Sequence, residues 1–352
     1  MAERSQKAAP RPAAGGRASA LPSRRNRGWH QRHTYAALDL GTNNCRLLIA
    51  RPEGDGFVVV DAFSRIVRLG EGLAATGRLS DAAMDRAVAA LAICAEKLKR
   101  RHVTLVRSVA TEACRRATNG AEFIARVAKE TGIRLEIISA EQEARLAVVG
   151  CHALLEPGDE PALVFDIGGG STELVLLAEG DDPVPQVEDW FSAPWGVVSL
   201  SESEPHVGAD EAELRASYAR MKQRAADAFA PFAARLATST RGPGRLLGTS
   251  GTVTTLASLH LDLPSYDRKK IDGLILDSQD LRTVNRRLSG MSVEARAALR
   301  CIGNERADLV VAGCAILEAI LDLWPAERLS VADRGIREGI LRGLMAADMV
   351  PA

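Results

Sequence analysis

At 352 residues the chain is long enough for two domains, and 46% apolar against 26% charged residues is the balance of a globular protein. Aromatics reach only 4%, so Leu, Val, Ile and Ala must fill the core. Basic and acidic residues both total 45, a formal net charge of zero, and no apolar run is long enough to span a bilayer. These features disfavour a membrane protein and a generic nucleic-acid-binding surface.

Charge is nonetheless uneven. Residues 1–33 carry eight Lys/Arg against Glu3, which leaves 37 basic and 44 acidic residues for the rest. This segment is rich in Ala, Pro, Gly and Ser without apolar period, so a disordered basic tail is expected at 1–33. It lacks the apolar stretch of a secretory signal, and a cytoplasmic location follows. A solvated leader is the simpler reading of the tail than contact with a polyanion.

Residues 35–50 then read as an apolar strand, an Asp-x-Gly turn and a second apolar strand, and 57–63 continues the sheet. Ser80 caps a helix whose apolar face is Met84, Val88, Leu91, Ala95 and Leu98. Lys97, Lys99, Arg100 and Arg101 close that helix, where cations suit its dipole. The strand 103–110 leads into Thr111-Glu112-Ala113-Cys114-Arg115-Arg116-Ala117. Loops at strand ends of open α/β sheets face the ligand crevice, and an arginine there can pair a phosphate with two hydrogen bonds. The helix 121–131 stops at Gly132, and the strand 134–139 follows. Glu141-Gln142-Glu143-Ala144-Arg145 opens a helix at the junction between two halves. Either glutamate is a candidate general base, and either suits a helix start.

The second half repeats the opening pattern. Residues 162–178 contain an apolar run ending in Asp166, then Gly168-Gly169-Gly170-Ser171-Thr172-Glu173, then another apolar run. Three glycines make a turn without side-chain bulk whose N–H groups can close around an oxyanion. Ser171 and Thr172 add hydroxyl donors, and Asp166 and Glu173 are hard carboxylates of the kind that suits magnesium beside a phosphate. The earlier turn, Asp39-Leu40-Gly41-Thr42-Asn43, matches it. Two such hairpins facing each other would grip a phosphate chain and its metal. Residues 186–193 form another strand, 210–236 a long helix, and 245–247 a strand ending in a third small-residue turn at Gly248-Thr249-Ser250-Gly251-Thr252. Asp267-Arg268-Lys269-Lys270 is a charged loop. From Ser278 onward the chain reads as helical, with an all-round apolar helix through Leu323 and a final helix over 333–345. The six cysteines are scattered without ligand spacing and read as buried thiols, Cys45 facing the core behind its turn.

These stretches resemble the phosphate motifs of the acetate kinase, sugar kinase, Hsp70 and actin superfold. Within it they are most similar to the exopolyphosphatase/guanosine pentaphosphate phosphatase family. Residues 136–146 resemble that family's inter-domain signature, Trp195-Gly196-Val197-Val198 a loop beside its site, 248–253 its third glycine loop and 333–339 its closing helix. The resemblance runs in order from about residue 35 to about residue 344. It implies two ribonuclease H-like α/β domains around a central cleft, with limits at 34–140 and 141–334, the first completed by the C-terminal helix 335–352. It also implies the short form, without the C-terminal HD-type helical domain of longer members.

By the same resemblance Glu143, directly before the Ala-Arg pair, is the catalytic base. Arg115 is the substrate arginine of its loop, and Arg145 holds substrate or junction. Phosphate falls to Gly41, Thr42, Asn43, Gly168, Gly169, Gly170, Ser171 and Thr172, and Mg2+ to Asp39, Asp166 and Glu173. The implied activity is metal-dependent release of terminal phosphate from inorganic polyphosphate. The alternatives are a guanosine pentaphosphate 5′-phosphatase and a non-catalytic nucleotide or polyphosphate sensor. No membrane and no specific nucleic acid is implied as partner, and a homodimer is left open.

Overall fold

A computed structural model describes residues 33–54, 56–178, 186–207, 210–238 and 242–349. The basic segment expected at the N-terminus lies outside these residues up to position 32. Two sheets organise the chain. The first holds β1 (Tyr35–Leu40), β2 (Asn44–Glu53), β3 (Gly56–Ile66), β4 (Leu105–Ala110) and β5 (Glu136–Ile137) in the order β3-β2-β1-β4-β5. The pairs β1·β2 and β2·β3 are antiparallel, and β4 and β5 run parallel to β1. The second sheet is built from β6 (Ala162–Ile167), β7 (Thr172–Leu177), β8 (Val187–Ala193), β9 (Arg245–Thr249), β10 (Ile275–Asp277) and β11 (Arg328–Ala332), in the order β10-β11-β9-β6-β7-β8. Without the edge strand β10 it repeats the first: three antiparallel strands, then two parallel ones. This is the duplicated α/β plan of the actin-like superfold.

Parallel strands need covering on both faces. Every residue of β1, β7 and β9 is buried. On the first sheet α1 (Leu73–Thr76) and α2 (Asp81–Arg100) precede β4, and α3 (Glu112–Arg116) and α4 (Gly120–Thr131) follow it. Ser80 caps α2 through a hydrogen bond from Ala83 N–H, and Gly132 ends α4 at φ 75°. The buried face of α2 is Ala83, Ala87, Ala90, Leu91 and Cys94. Met84, Val88, Ala95 and Leu98, expected at its centre, pack half-buried at its edge, because the alanines let the helix sit close to the sheet. Lys97 and Arg101 each reach Asp61 at 2.8 Å, so the basic run is a helix end tied to β3.

Between the sheets runs α5 (Ala140–Cys151), opened by a capping box of Ser139 and Gln142. In the second half come α6 (Val197–Ser203), α7 (Glu211–Leu236), α8 (Ser250–His260), α9 (Arg268–Ile271), α10 (Ser278–Ser289), α11 (Val293–Ala297), α12 (Val310–Leu323) and last α13 (Ile336–Met349). Eleven residues of α12 are buried, as its all-round apolar sequence predicts. The region after Ser278 is not wholly helical, however. Residues Arg328–Ala332 form β11, inserted between β9 and β10 with four of five residues buried. A strand so short and buried on both faces carries no period, which is why the sequence concealed it.

Helix α13 returns to the first sheet. Ile336, Ile340 and Leu341 pack with Tyr35, Ala37, Leu48 and Val109. It crosses α5 at backbone contact: a Cβ on Gly150 would lie 2.0 Å from Gly335 O, and one on Gly339 2.0 Å from Leu146 O. No helix of the described residues is long and apolar enough to cross a membrane.

Candidate active site

The two Asp-x-Gly turns sit against one another. A Cβ on Gly169 would stand 2.9 Å from Thr42 Cβ and 3.0 Å from Asn43 N, and one on Gly170 2.8 Å from Thr42 Oγ1. Each turn is tied back by its carbonyls. Thr42 O accepts Gly70 N–H, and Asn43 O accepts Val67 and Arg68 N–H. Gly168 O accepts Val197 N–H, and Gly169 O accepts Val198 and Ser199 N–H. In a planar trans peptide the following N–H points the other way. The N–H groups of Asn43, Gly169 and Gly170 donate to no backbone carbonyl among the described residues, which suits an anion. Gly196 allows the second of these ties, since a Cβ there would lie 2.4 Å from Gly169 C.

Between the turns lies a solvent-open cavity, with about 500 Å³ of empty space, lined by Asp39, Gly41, Thr42, Asn43, Thr111, Glu112, Glu143, Asp166, Gly168, Gly169, Gly170, Ser171 and Glu173, with Asn44, Arg46, Ser250 and Ile336. Five carboxylates therefore converge: Asp39, Glu112, Glu143, Asp166 and Glu173. Hairpin register explains two of them: Asp166 pairs across the strands with Glu173, so both project from one face. Lost hydration pushes Asp166 up to about 6, with Arg46 opposing. It pushes Glu173 up to about 7, helped by Asp166 and opposed by hydrogen bonds from Ser171 and Ser192. Those hydroxyls donate to Glu173 Oε1 at 2.7 and 2.9 Å. Asp39 is also raised by burial, against Arg46 and Arg337.

Glu143 comes from the first turn of α5 and is 7% exposed. Burial, then the negative charge of Glu173, raises it well above the usual carboxylate range, while Arg115 opposes. Arg115 Nη1 donates to Glu143 Oε2 at 3.1 Å and to Ile138 O at 2.8 Å, and Nη2 donates to Glu112 Oε2 at 2.8 Å. The arginine thus holds the base from behind, through two residues that line the cavity, Glu112 and Glu143.

Three expected residues do not line the cavity: Arg115 reaches it only through Glu112 and Glu143, while Arg145 and Thr172 turn away from it. Arg145 is two positions from Glu143, about 200° round the helix. Its side chain is 59% exposed and pairs with Glu141. Thr172 is fully buried and its Oγ1 donates to Trp195 O at 2.7 Å, because strand alternation turns it away from Ser171 and Glu173. The corrections for Arg145 and Thr172 follow from side-chain period. Glu141, the competitor for base, points outward with Arg145.

Sequence reasoning missed three arginines. Arg46 lies opposite Asp39 in the first hairpin and lines the cavity. Arg337, at the start of α13, lines a smaller chamber of about 350 Å³ shared with Asp39 and Asp166. Arg306 lines a third chamber of about 530 Å³ that continues from the cavity past Asn43, Arg46 and Gly169, with Ile167, Val197, Leu309 and Val310 as its apolar wall. For Arg46 the mirror symmetry of the hairpin about its turn was an available signal. Arg306 and Arg337 carry none.

The donor set fits a divalent cation. Asp39 Oδ1 is buried without a hydrogen-bond partner, and Asp166 shares its chamber. Among the described residues no three His, Cys, Asp or Glu side chains enclose an ion by themselves. Magnesium is usually held by one or two carboxylates plus phosphate oxygens and water, so this is the sparse kind of site that such an ion takes.

Comparison with known proteins points to one family. The model of the Ppx/GppA phosphatase family matches residues 48–347. Exopolyphosphatase 2 of Mycobacterium tuberculosis is 34% identical over 324 residues, covering 88% of this chain and 98% of that protein. The guanosine-5′-triphosphate,3′-diphosphate pyrophosphatase of Aeromonas hydrophila is 32% identical, covering 90% of this chain and 60% of that protein. The crystal structure of an exopolyphosphatase from Cytophaga hutchinsonii superposes with TM-score 0.79 at 26% identity, covering 90% and 98% of the two chains.

Proposed function

The chain belongs to the Ppx/GppA phosphatase family and is a phosphoanhydride hydrolase, and from that premise we propose that it releases terminal phosphate from inorganic polyphosphate in the cytoplasm. The observation that carries the reading is the buried Glu143 carboxylate, braced by Arg115 and facing two amide-lined turns. Glu143 accepts the proton of an attacking water; its raised affinity for protons makes it a stronger base than a solvated glutamate. The turns at 41–43 and 168–171 hold the phosphoryl oxygens, and Ser171 keeps Glu173 in place. Asp39 and Asp166, with Glu173 behind them, would hold Mg2+, which when bound offsets charge on the phosphoryl oxygens. Positioning and electrostatics supply most of the rate, as is usual for phosphoryl transfer. The two halves, 34–140 with the final helix and 141–334, close on this cleft.

A guanosine pentaphosphate 5′-phosphatase is the second reading, favoured by the apolar wall of the chamber beyond the cavity. The deciding experiment measures phosphate release with Mg2+ from long-chain polyphosphate, guanosine pentaphosphate and ATP, each beside a Glu143→Gln control. Release from polyphosphate alone, lost in the control, is expected. Far higher efficiency on guanosine pentaphosphate would move the role to stringent-response nucleotide turnover. Tight binding without release from any of them would leave a sensor.

A further inference from the structure

Loop 67–72 is tied to both halves of the molecule. On its inner side it hangs from the first phosphate turn: Val67 and Arg68 N–H donate to Asn43 O at 2.8 and 3.1 Å, and Gly70 N–H donates to Thr42 O at 2.9 Å. A Cβ on Gly70 would lie 2.2 Å from Thr42 Cγ2, so loop and turn are in full contact. On its outer side it grips the half built on the second sheet. Arg68 Nη1 donates to Asp308 Oδ2 at 2.8 Å, and Nη2 donates to Asp308 Oδ1 and Glu305 O, both at 3.1 Å. Gly72 N–H donates to Glu202 Oε1 of α6 at 2.8 Å. Arg68 does this from φ 46°, a left-handed backbone uncommon outside glycine. Such conformations persist where their surroundings over-determine them. Here Arg86 supplies that support, donating to Val67 O at 2.9 Å and Arg68 O at 3.2 Å.

The partners of Arg68 are as informative as the bond. Glu305 and Asp308 bracket Arg306, whose guanidinium lines the chamber continuing from the catalytic cavity. Among the described residues its guanidinium donates to Thr255 Oγ1 at 3.4 Å, a long bond that fixes it weakly. An ordinary surface ion pair would contribute little, and this one is 32% and 41% exposed. A two-pronged pair fixes orientation as well as distance.

We propose that Arg68 is a positioning residue for the polyanionic substrate, clamping the turn 305–308 to the first phosphate turn so that Arg306 and the turn amides meet the chain at a set separation. This rests on the hydrolase reading above. Arg68 touches no substrate and takes no part in the chemistry. Its effect falls on binding of the chain beyond the cleaved phosphate.

The test compares wild type with Arg68→Ala, Asp308→Asn and the charge-swapped double variant Arg68→Asp/Asp308→Arg. Steady-state kinetics on long-chain polyphosphate and the radius of gyration by small-angle scattering are read together. Each single variant is expected to raise KM about tenfold with kcat within about twofold, and the swap to recover part of the loss. Unchanged KM with only a lowered Tm would overturn the proposal and leave a stabilising surface pair. A fall in kcat at constant KM would overturn it too. If wild type released no phosphate, the hydrolase reading would fall by itself. The clamp would then be judged by scattering: a larger radius for Arg68→Ala supports it, and an unchanged one overturns it.

Discussion

The two phosphate hairpins have the same shape and opposite electrostatics. In the first, Asp39 faces Arg46 across the strands; in the second, Asp166 faces Glu173. Opposite charges in register support a hairpin, and like charges oppose it. The first therefore carries its own counter-charge, while the second accumulates negative charge beside Glu143 and needs a cation to relieve it. The lesson is that one turn positions and the other concentrates charge, so a duplicated motif need not mean duplicated work.

Four experiments sharpen or break this contrast. The largest effect belongs to Glu143→Gln, which should lower turnover about 10²–10⁴-fold while retaining polyphosphate binding. Activity surviving within tenfold would place the base elsewhere. Next, Asp166→Asn should abolish metal-dependent turnover yet raise the stability of metal-free protein by about 1–3 kcal/mol, read from chemical denaturation. Asp39→Asn should gain less, because Arg337 joins Arg46 in opposing the Asp39 charge, whereas Asp166 has Arg46 without Arg337. Equal gains would erase the distinction between the hairpins.

Third, pH should act through the second hairpin in metal-free protein. Asp166 and Glu173 bind protons more tightly folded, at about 6 and about 7, than unfolded, at 3.8 and 4.5. The unfolded chain therefore holds fewer protons between these values, and stability falls as pH rises from about 4 to about 7. Glu173→Gln should flatten that slope, and saturating Mg2+ should remove most of it, both visible in Tm against pH. Smallest is Arg115→Gln. Since Arg115 holds Glu143 down, its loss should move the acid limb of kcat/KM to higher pH. A limb that moves to lower pH would exclude Glu143 as the titrating base.

Much of the site was legible because it is local. An apolar run, an aspartate, glycines and a second apolar run lie within a few residues of each other, and hairpin geometry needs nothing more. Arg145 and Thr172 went astray for the complementary reason: adjacency in sequence is not adjacency in space when helix or strand period turns the next side chain away. Arg46 was readable in principle from the symmetry of its hairpin, whereas Arg306 arrives from a turn more than 250 residues later, on the far side of the cavity. The strand Arg328–Ala332 was hidden between helices, yet it sits inside the second sheet beside β9.

By itself the sequence determined two Asp-x-Gly hairpins, the helix that carries Glu143 and the kind of chemistry these residue types serve, since spacing and side-chain type act over one or two turns of chain. Tertiary structure alone decided that the turns touch, that Glu143 rather than Glu141 is sunk among carboxylates, and that Arg68 bridges the halves. Desolvation and charge proximity depend on which distant segments pack together, and no local pattern encodes that.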